Sequence, residues 1–167
     1  CKVWAAGVQG NVLGKSLAEQ TDAELDRAGR VIVLPDMTLP GHPEVTVIGD
    51  LAFVPGVPGV AQGAIQEARY VAARIADRVA GRPLSDQPFK YFDKGSMATI
   101  SKFSAVVKVG KVQFTGFFAW VAWLGLHLLY IAGFKGRVTT LLHWVLSFIG
   151  RGRSERVTTN QQLVGRL

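Results

Sequence analysis

The sequence of 167 residues holds a single cysteine, Cys1, and only three histidines. One thiol excludes an intramolecular disulfide, a CxxC redox pair and a Cys/His zinc cluster, and no metal site is expected. Acid is scarce in one region: residues 95–167 carry nine Lys/Arg and one acid, Glu155, whereas residues 1–94 carry ten Lys/Arg and eleven Asp/Glu. The net charge of +7 therefore belongs to the last part of the chain. Internal repeats and low-complexity tracts are also missing, which excludes solenoids and linker-like chains. The basic part coincides with apolar, aromatic-rich runs. That pairing points to anionic lipid head groups and away from nucleic acid, which needs its cations on a solvated face.

The length suits about one domain with a full core. A chain that starts on cysteine matches a mature lipoprotein, but "CKVWAAGV" runs straight into a strand pattern with no flexible tether. A fragment that begins inside a domain is the expectation. "KVWAAGV" reads as a short interior parallel strand closed by Gly7. Ser16 to Arg30 is polar and partly helical. "RVIVLPDM" and "EVTVIGDLA" read as two further short strands, separated by the turn-rich "TLPGHP". After the loop "LAFVPGVPGV" a helix is predicted, with Ala61, Ile65, Ala68, Ala72, Ile75 and Val79 as its apolar face and Gly81 with Pro83 as its stop. Strand, loop and helix recur, so the opening part is α/β. From Phe89, three or four short alternating strands with turns at Asp93-Lys94-Gly95 and Gly110 predict a small antiparallel sheet.

The apolar tail follows in two parts divided by "GFKGR". Thr115 to Phe134 is long enough, at roughly 30 Å as a helix, to span a bilayer. At 100° per residue, however, Trp120, Trp123, His127 and Tyr130 fall within about 80° of arc. Such residues belong in the head-group layer, and a stripe of them along the axis favours a helix lying in the membrane plane over a span or a core pair. Val138 to Ile149 is too short to span; Leu142, Val145, Leu146 and Ile149 share one face, while Thr140, His143, Ser147 and Arg151 share the other. Trp144 joins the anchor residues. Lys108, Lys111, Lys135, Arg137, Arg151, Arg153 and Arg156 flank the pair, each worth roughly 1 kcal/mol near an anionic surface. His127 and His143 are polar tips of these faces, not ligands.

The short string that points to chemistry is "VTVIGDLA". An apolar strand ending in Gly49-Asp50 sets a carboxylate at the edge of a parallel sheet, where α/β folds bind ligands and where an Asp accepts hydrogen bonds from a polyol. An isolated Gly-Asp opens a mere turn equally well. In favour of a site, "AQGAIQEA" begins a helix eleven residues on, and its free N–H groups can face an electron-rich ring.

"VWAAGV", "VTVIGDLA", "GVAQGAIQEA" and "YFDKGSMATI", in this order and followed by "GFFAWVAWLGLHLLYIAGFKGRV", resemble the carboxyl-terminal part of a bacterial, actinobacterial-like type II NADH dehydrogenase. The resemblance covers most of the chain. It implies a fragment of a two-dinucleotide-domain flavoprotein: 1–88 from the NADH- and FAD-binding domains, 89–113 the small sheet, 114–156 the membrane-anchor helices and 157–167 a polar tail. It also implies FAD as cofactor, NADH as donor and a membrane quinone as acceptor, with Gly49 and Asp50 on the ribityl chain. Ala61 and Gln62 would meet the flavin ring, Gln62 would line the quinone pocket, and Ala6 and Gly7 would lie near the nucleotide. Membrane lipid and quinone are the implied partners of a homodimer on the cytoplasmic face of the cell membrane.

The family needs two GxGxxG fingerprints, and this chain has neither. The chain alone is therefore expected to hold no FAD and to show no dehydrogenase activity. No protein acid, base or nucleophile is expected to be catalytic, because the chemistry belongs to the cofactor. Proton pumping is not expected either, since Glu155 is the only acid after Asp93. The alternative is a non-enzymatic peripheral membrane-binding module. A flavin disulfide reductase fits less well, because the one His-Pro-Glu, His42 to Glu44, precedes the Gly-Asp strand in a turn.

Overall fold

The computed structural model describes residues 9–149, which fall into two compact units that meet in sequence between Lys94 and Gly95. The first holds α1 (Val12–Thr21), β1 (Val31–Ile32), β2 (Thr38–Leu39), β3 (His42–Thr46), a 3-10 turn (Gly49–Leu51), β4 (Ala52–Phe53) and α2 (Ala61–Val79). The second holds β5 (Ser96–Ser101), β6 (Ser104–Val109), β7 (Val112–Gly116), α3 (Phe117–Tyr130) and α4 (Phe134–Ile149). The architecture is mixed α/β, as the pattern predicted, and the expected small antiparallel sheet is present with three strands; the parallel pair, however, uses Ala52–Phe53 from the segment read as a loop. The strand expected at "KVWAAGV" lies outside the described residues.

In the first unit, the side chain of Asn11 accepts from Leu13 N–H at 2.9 Å and starts α1. Helix therefore begins before the predicted Ser16 and stops at Asp22, whose φ of 56° is left-handed. The rest of that segment is a turn built on Asp26, which accepts from the N–H groups of Ala28 and Arg30 and pairs with the Arg30 guanidinium. Gly10 is fixed by close approach: it donates to Ala28 O at 2.6 Å, and a Cβ there would meet the carbonyl of Gly29.

The Gly-Asp string is built differently from its prediction. β3 pairs antiparallel with β2, and the parallel pair is β1 with β4, in the register Val31↔Ala52 and Ile32↔Phe53. Gly49-Asp50 thus sits in a turn before a parallel strand, not at the carboxyl edge of one. The reason is legible in burial: Val45 and Val47 turn inward while Glu44 and Thr46 are exposed, the alternation of a half-covered antiparallel strand. Gly49, at φ 70°, then breaks the extended run.

α2 ends where predicted, with Gly81 at φ 66° two residues before Pro83. Its expected apolar face is corrected. Ala61, Ala68, Ala72, Ile75 (50% exposed) and Val79 (83% exposed) face outward, whereas Gly63, Glu67 and Val71 are buried. The polar residues Gln66, Tyr70 and Arg74 are engaged with an irregular strap over 82–94. Gln66 clamps Phe92 through both its amide atoms, Tyr70 donates to Gln87 O, and Arg74 bridges Ser85 O to the Asp36 carboxylate. The core consists of Ala23, Val31, Met37, Leu39, Val47, Ala52 and Val71.

In the second unit, β5, β6 and β7 form a meander, so the sheet has three strands and starts at Ser96, later than Phe89. Its turns run through Phe103 and the predicted Gly110, both at positive φ. Gly116 leads directly into α3, which lays Ala119 and Trp120 on Ala105 and Val107 of the sheet. The expected helix from Thr115 to Phe134 is interrupted: α3 has 14 residues and ends at Tyr130, and α4 restarts at Phe134, ahead of the predicted Val138. Gly133, at φ 77°, makes the break, and Arg137 donates to the carbonyls of Leu129 and Ile131, which ties off the end of α3. Among the described residues, no helix is long and apolar enough to cross a membrane.

Candidate functional site

Within the first unit a cleft of about 500 Å³ opens between the Gly49–Leu51 turn, the Val57–Val60 loop and the first turns of α2. That volume lies in the range of small-molecule pockets. Gly49 and Asp50 line it, as do Ala64, Glu67, Arg30 and the backbone around Gly10. Asp50 is exposed, so its carboxylate is available to a ligand hydroxyl. Arg30 is held by Asp26 and lies over the Phe53 ring at 4.9 Å, a fixed cation on the cleft wall.

The amino end of α2 meets the same loop. Val60 precedes the helix with no side-chain cap, and no acid lies in the first turn. Gly63 N–H returns to Val60 O, and the positive end of the helix dipole lies at this first turn, where Ala61 and Gln62 stand. Ala61 is exposed and Gln62 half-buried; they flank the cleft through Val60 without being among its lining residues. Ala6 and Gly7 fall outside the described residues.

Glu67 is the residue that sequence reasoning missed. It is 3% exposed, and its Oε2 accepts from Gly49 N–H at 2.6 Å, joining the turn to a helix residue 18 positions later. Burial pushes its carboxyl above the ordinary value of 4.5; the Gly49 bond opposes this and the nearby Asp50 charge adds to it. The available signal was its place between Gly63 and Val71 on one helical face, but a charged residue between a glycine and a valine reads as solvent-facing.

The anchor residues of the second unit separate into two kinds. Trp120, read from the sequence as part of a surface stripe, is only 8% exposed and packs on the rings of Phe103, Phe117 and Phe148. Trp123 is half-buried between His127, stacked at 4.1 Å, and Trp144 at 6.1 Å. His127 and Tyr130 are exposed, and Trp144 is half-buried. The outward apolar surface comes instead from residues such as Phe118 (79% exposed), Leu129, Phe134 (82% exposed), Leu146 and Ile149. Leu142, Val145, Leu146 and Ile149, predicted to share a face of the second helix, are all exposed.

No family model matches the chain. Against individual proteins it is 58% identical over 167 residues to the type II NADH:quinone oxidoreductase Ndh of Mycobacterium tuberculosis, covering 99% of this chain and 36% of that one. NdhA of the same organism, also a type II NADH:quinone oxidoreductase, is 58% identical over 170 residues and is likewise covered to 36%. A type II NADH:quinone oxidoreductase of Staphylococcus haemolyticus is 32% identical over 68% of this chain, which is 28% of the relative. The chain thus spans about a third of the length of the relatives it matches. With identity at this level running over essentially its whole length, the chain belongs to the type II NADH:quinone oxidoreductase family.

Proposed function

We propose that this chain is part of a non-proton-pumping, FAD-dependent NADH:quinone oxidoreductase, contributing one wall of the flavin and quinone sites and the surface that seats the enzyme on the membrane. The observation that carries this reading is one cleft combining Gly49-Asp50, a fixed arginine and the loop that leads into the uncapped start of α2. The donor set suits a flavin. Asp50 accepts from the hydroxyls of a polyol chain, Gly49 brings backbone close without a side chain, and the positive end of the α2 dipole, beside the Val57–Val60 loop, favours an electron-rich ring. Bound FAD would supply the redox chemistry, taking hydride from NADH and passing electrons to the quinone. The residues of this chain hold and orient, and Gln62 lines the approach of the quinone.

The outward apolar faces of α3 and α4 support an in-plane seat on lipid, with Lys135 and Arg137 at their junction to meet anionic head groups. Lipid and quinone are then the partners of a homodimer at the cytoplasmic face of the cell membrane, with no role for nucleic acid. The test is to complete the chain with the remainder of the Mycobacterium tuberculosis Ndh sequence and assay NADH-dependent quinone reduction in anionic vesicles. Quinone reduction with bound flavin is expected; vesicle binding without flavin or turnover would leave a non-enzymatic membrane module. The 167-residue chain alone is expected to release added FAD on ultrafiltration.

A further inference from the structure

A buried acid beside a second carboxylate bears desolvation and repulsion that a hydrocarbon side chain of the same size would avoid, so its polar end needs a use. Glu67 stands in that position, beneath the cleft and next to Asp50. Its helix is fixed on either side: Val71, one turn later, is in the core, and Gly63, one turn earlier, lies against Val57 and the carbonyl of Pro58. What Glu67 reaches is the N–H of Gly49, the residue whose φ of 70° starts the 3-10 turn and sets the direction of Asp50.

We infer that Glu67 is a positioning residue: its carboxylate holds the Gly49 peptide in the left-handed conformation that delivers Asp50 to the cleft. The inference rests on the flavin reading given above and adds to it the device that orients the polyol-binding acid. Without an acceptor the Gly49 N–H loses its partner, the turn relaxes, and Asp50 is no longer held towards a bound ligand. The requirement is for an acceptor at that distance and not for charge. Glutamine therefore substitutes, aspartate falls short by one methylene, and methionine fills the volume without a comparable acceptor.

The experiment uses the completed protein in wild-type, E67Q, E67M and E67D forms, with flavin affinity measured by fluorescence titration and the visible flavin spectrum recorded for each. Affinity of E67Q within about threefold of wild type is expected, with losses of roughly tenfold or more in E67M and E67D and an altered flavin spectrum in both. A role in packing alone would leave E67M and its spectrum like wild type, and that result overturns the inference. If E67M fails to fold, E67D decides: wild-type affinity and spectrum in E67D also overturn it. A wild-type protein that binds no flavin refutes the functional reading itself, and the inference with it.

Discussion

Replacing Trp120 by alanine tests how the second unit is built. The indole is 8% exposed and touches three rings, edge-on to Phe103 at 4.9 Å and to Phe148 at 5.0 Å, and stacked on Phe117 at 6.0 Å. Truncating a buried tryptophan costs about 3–5 kcal/mol. Each aromatic pair carries about 0.5–1.5 kcal/mol beyond its buried area, but part of this is already within the truncation cost, so about 4 kcal/mol is the working value. Trp123, half-buried and stacked on His127, should lose about 1 kcal/mol on the same change. Hydrogen exchange read by mass spectrometry in detergent micelles, on peptides covering 96–116, reports the difference. Protection of the sheet should collapse in W120A and persist in W123A. Sheet protection in W120A within about 1 kcal/mol of wild type would refute the assignment of Trp120 to the core.

Membrane seating should depend on other residues. F118S and F134S each remove an exposed phenyl ring, and at about 1.5–3 kcal/mol per buried phenylalanine each should lower vesicle partitioning roughly tenfold or more while leaving sheet protection intact. Unchanged flotation of the double variant would remove these faces from the contact. Stability should also vary with pH through Glu67. Its raised carboxyl means that folding favours the protonated form, so this contribution is complete below the ordinary value of 4.5 and is lost as pH rises through the raised one. Urea titrations at a series of pH values should show that downward component in wild type and a flatter profile in E67Q. An identical profile in the two proteins would contradict it.

Element types were readable from the sequence where local chemistry is strong. Gly81 with Pro83 stops α2, Gly110 turns the meander, and the apolar tail is helical on both sides of a glycine break. What was misread depended on tertiary context. The Ala/Ile stripe of α2 has the right period, yet the unit buries Gly63, Glu67 and Val71 and uses Gln66, Tyr70 and Arg74 to hold a strap. Nothing local in the sequence says which of two competing faces will be covered. The aromatic stripe had the same weakness: Trp120 and Tyr130 share an arc on the helix, but only the amino-terminal end of α3 lies on the sheet. Gly49 and Asp50 stand out in the sequence because glycine and aspartate have narrow conformational and chemical uses, and both line the cleft. Glu67 was not, because its role depends on a contact 18 residues away.

The most direct test of the central claim is the flavin content of the completed protein with and without the Asp50 carboxylate. An ionised acceptor on ligand hydroxyls is worth about 1.5–3 kcal/mol, so D50A should bind flavin roughly ten- to a hundredfold more weakly and emerge from dilute gel filtration largely colourless beside a yellow wild type. Stoichiometric flavin in D50A, with an unchanged visible spectrum, would contradict the placement of the flavin site at the Gly49-Asp50 turn.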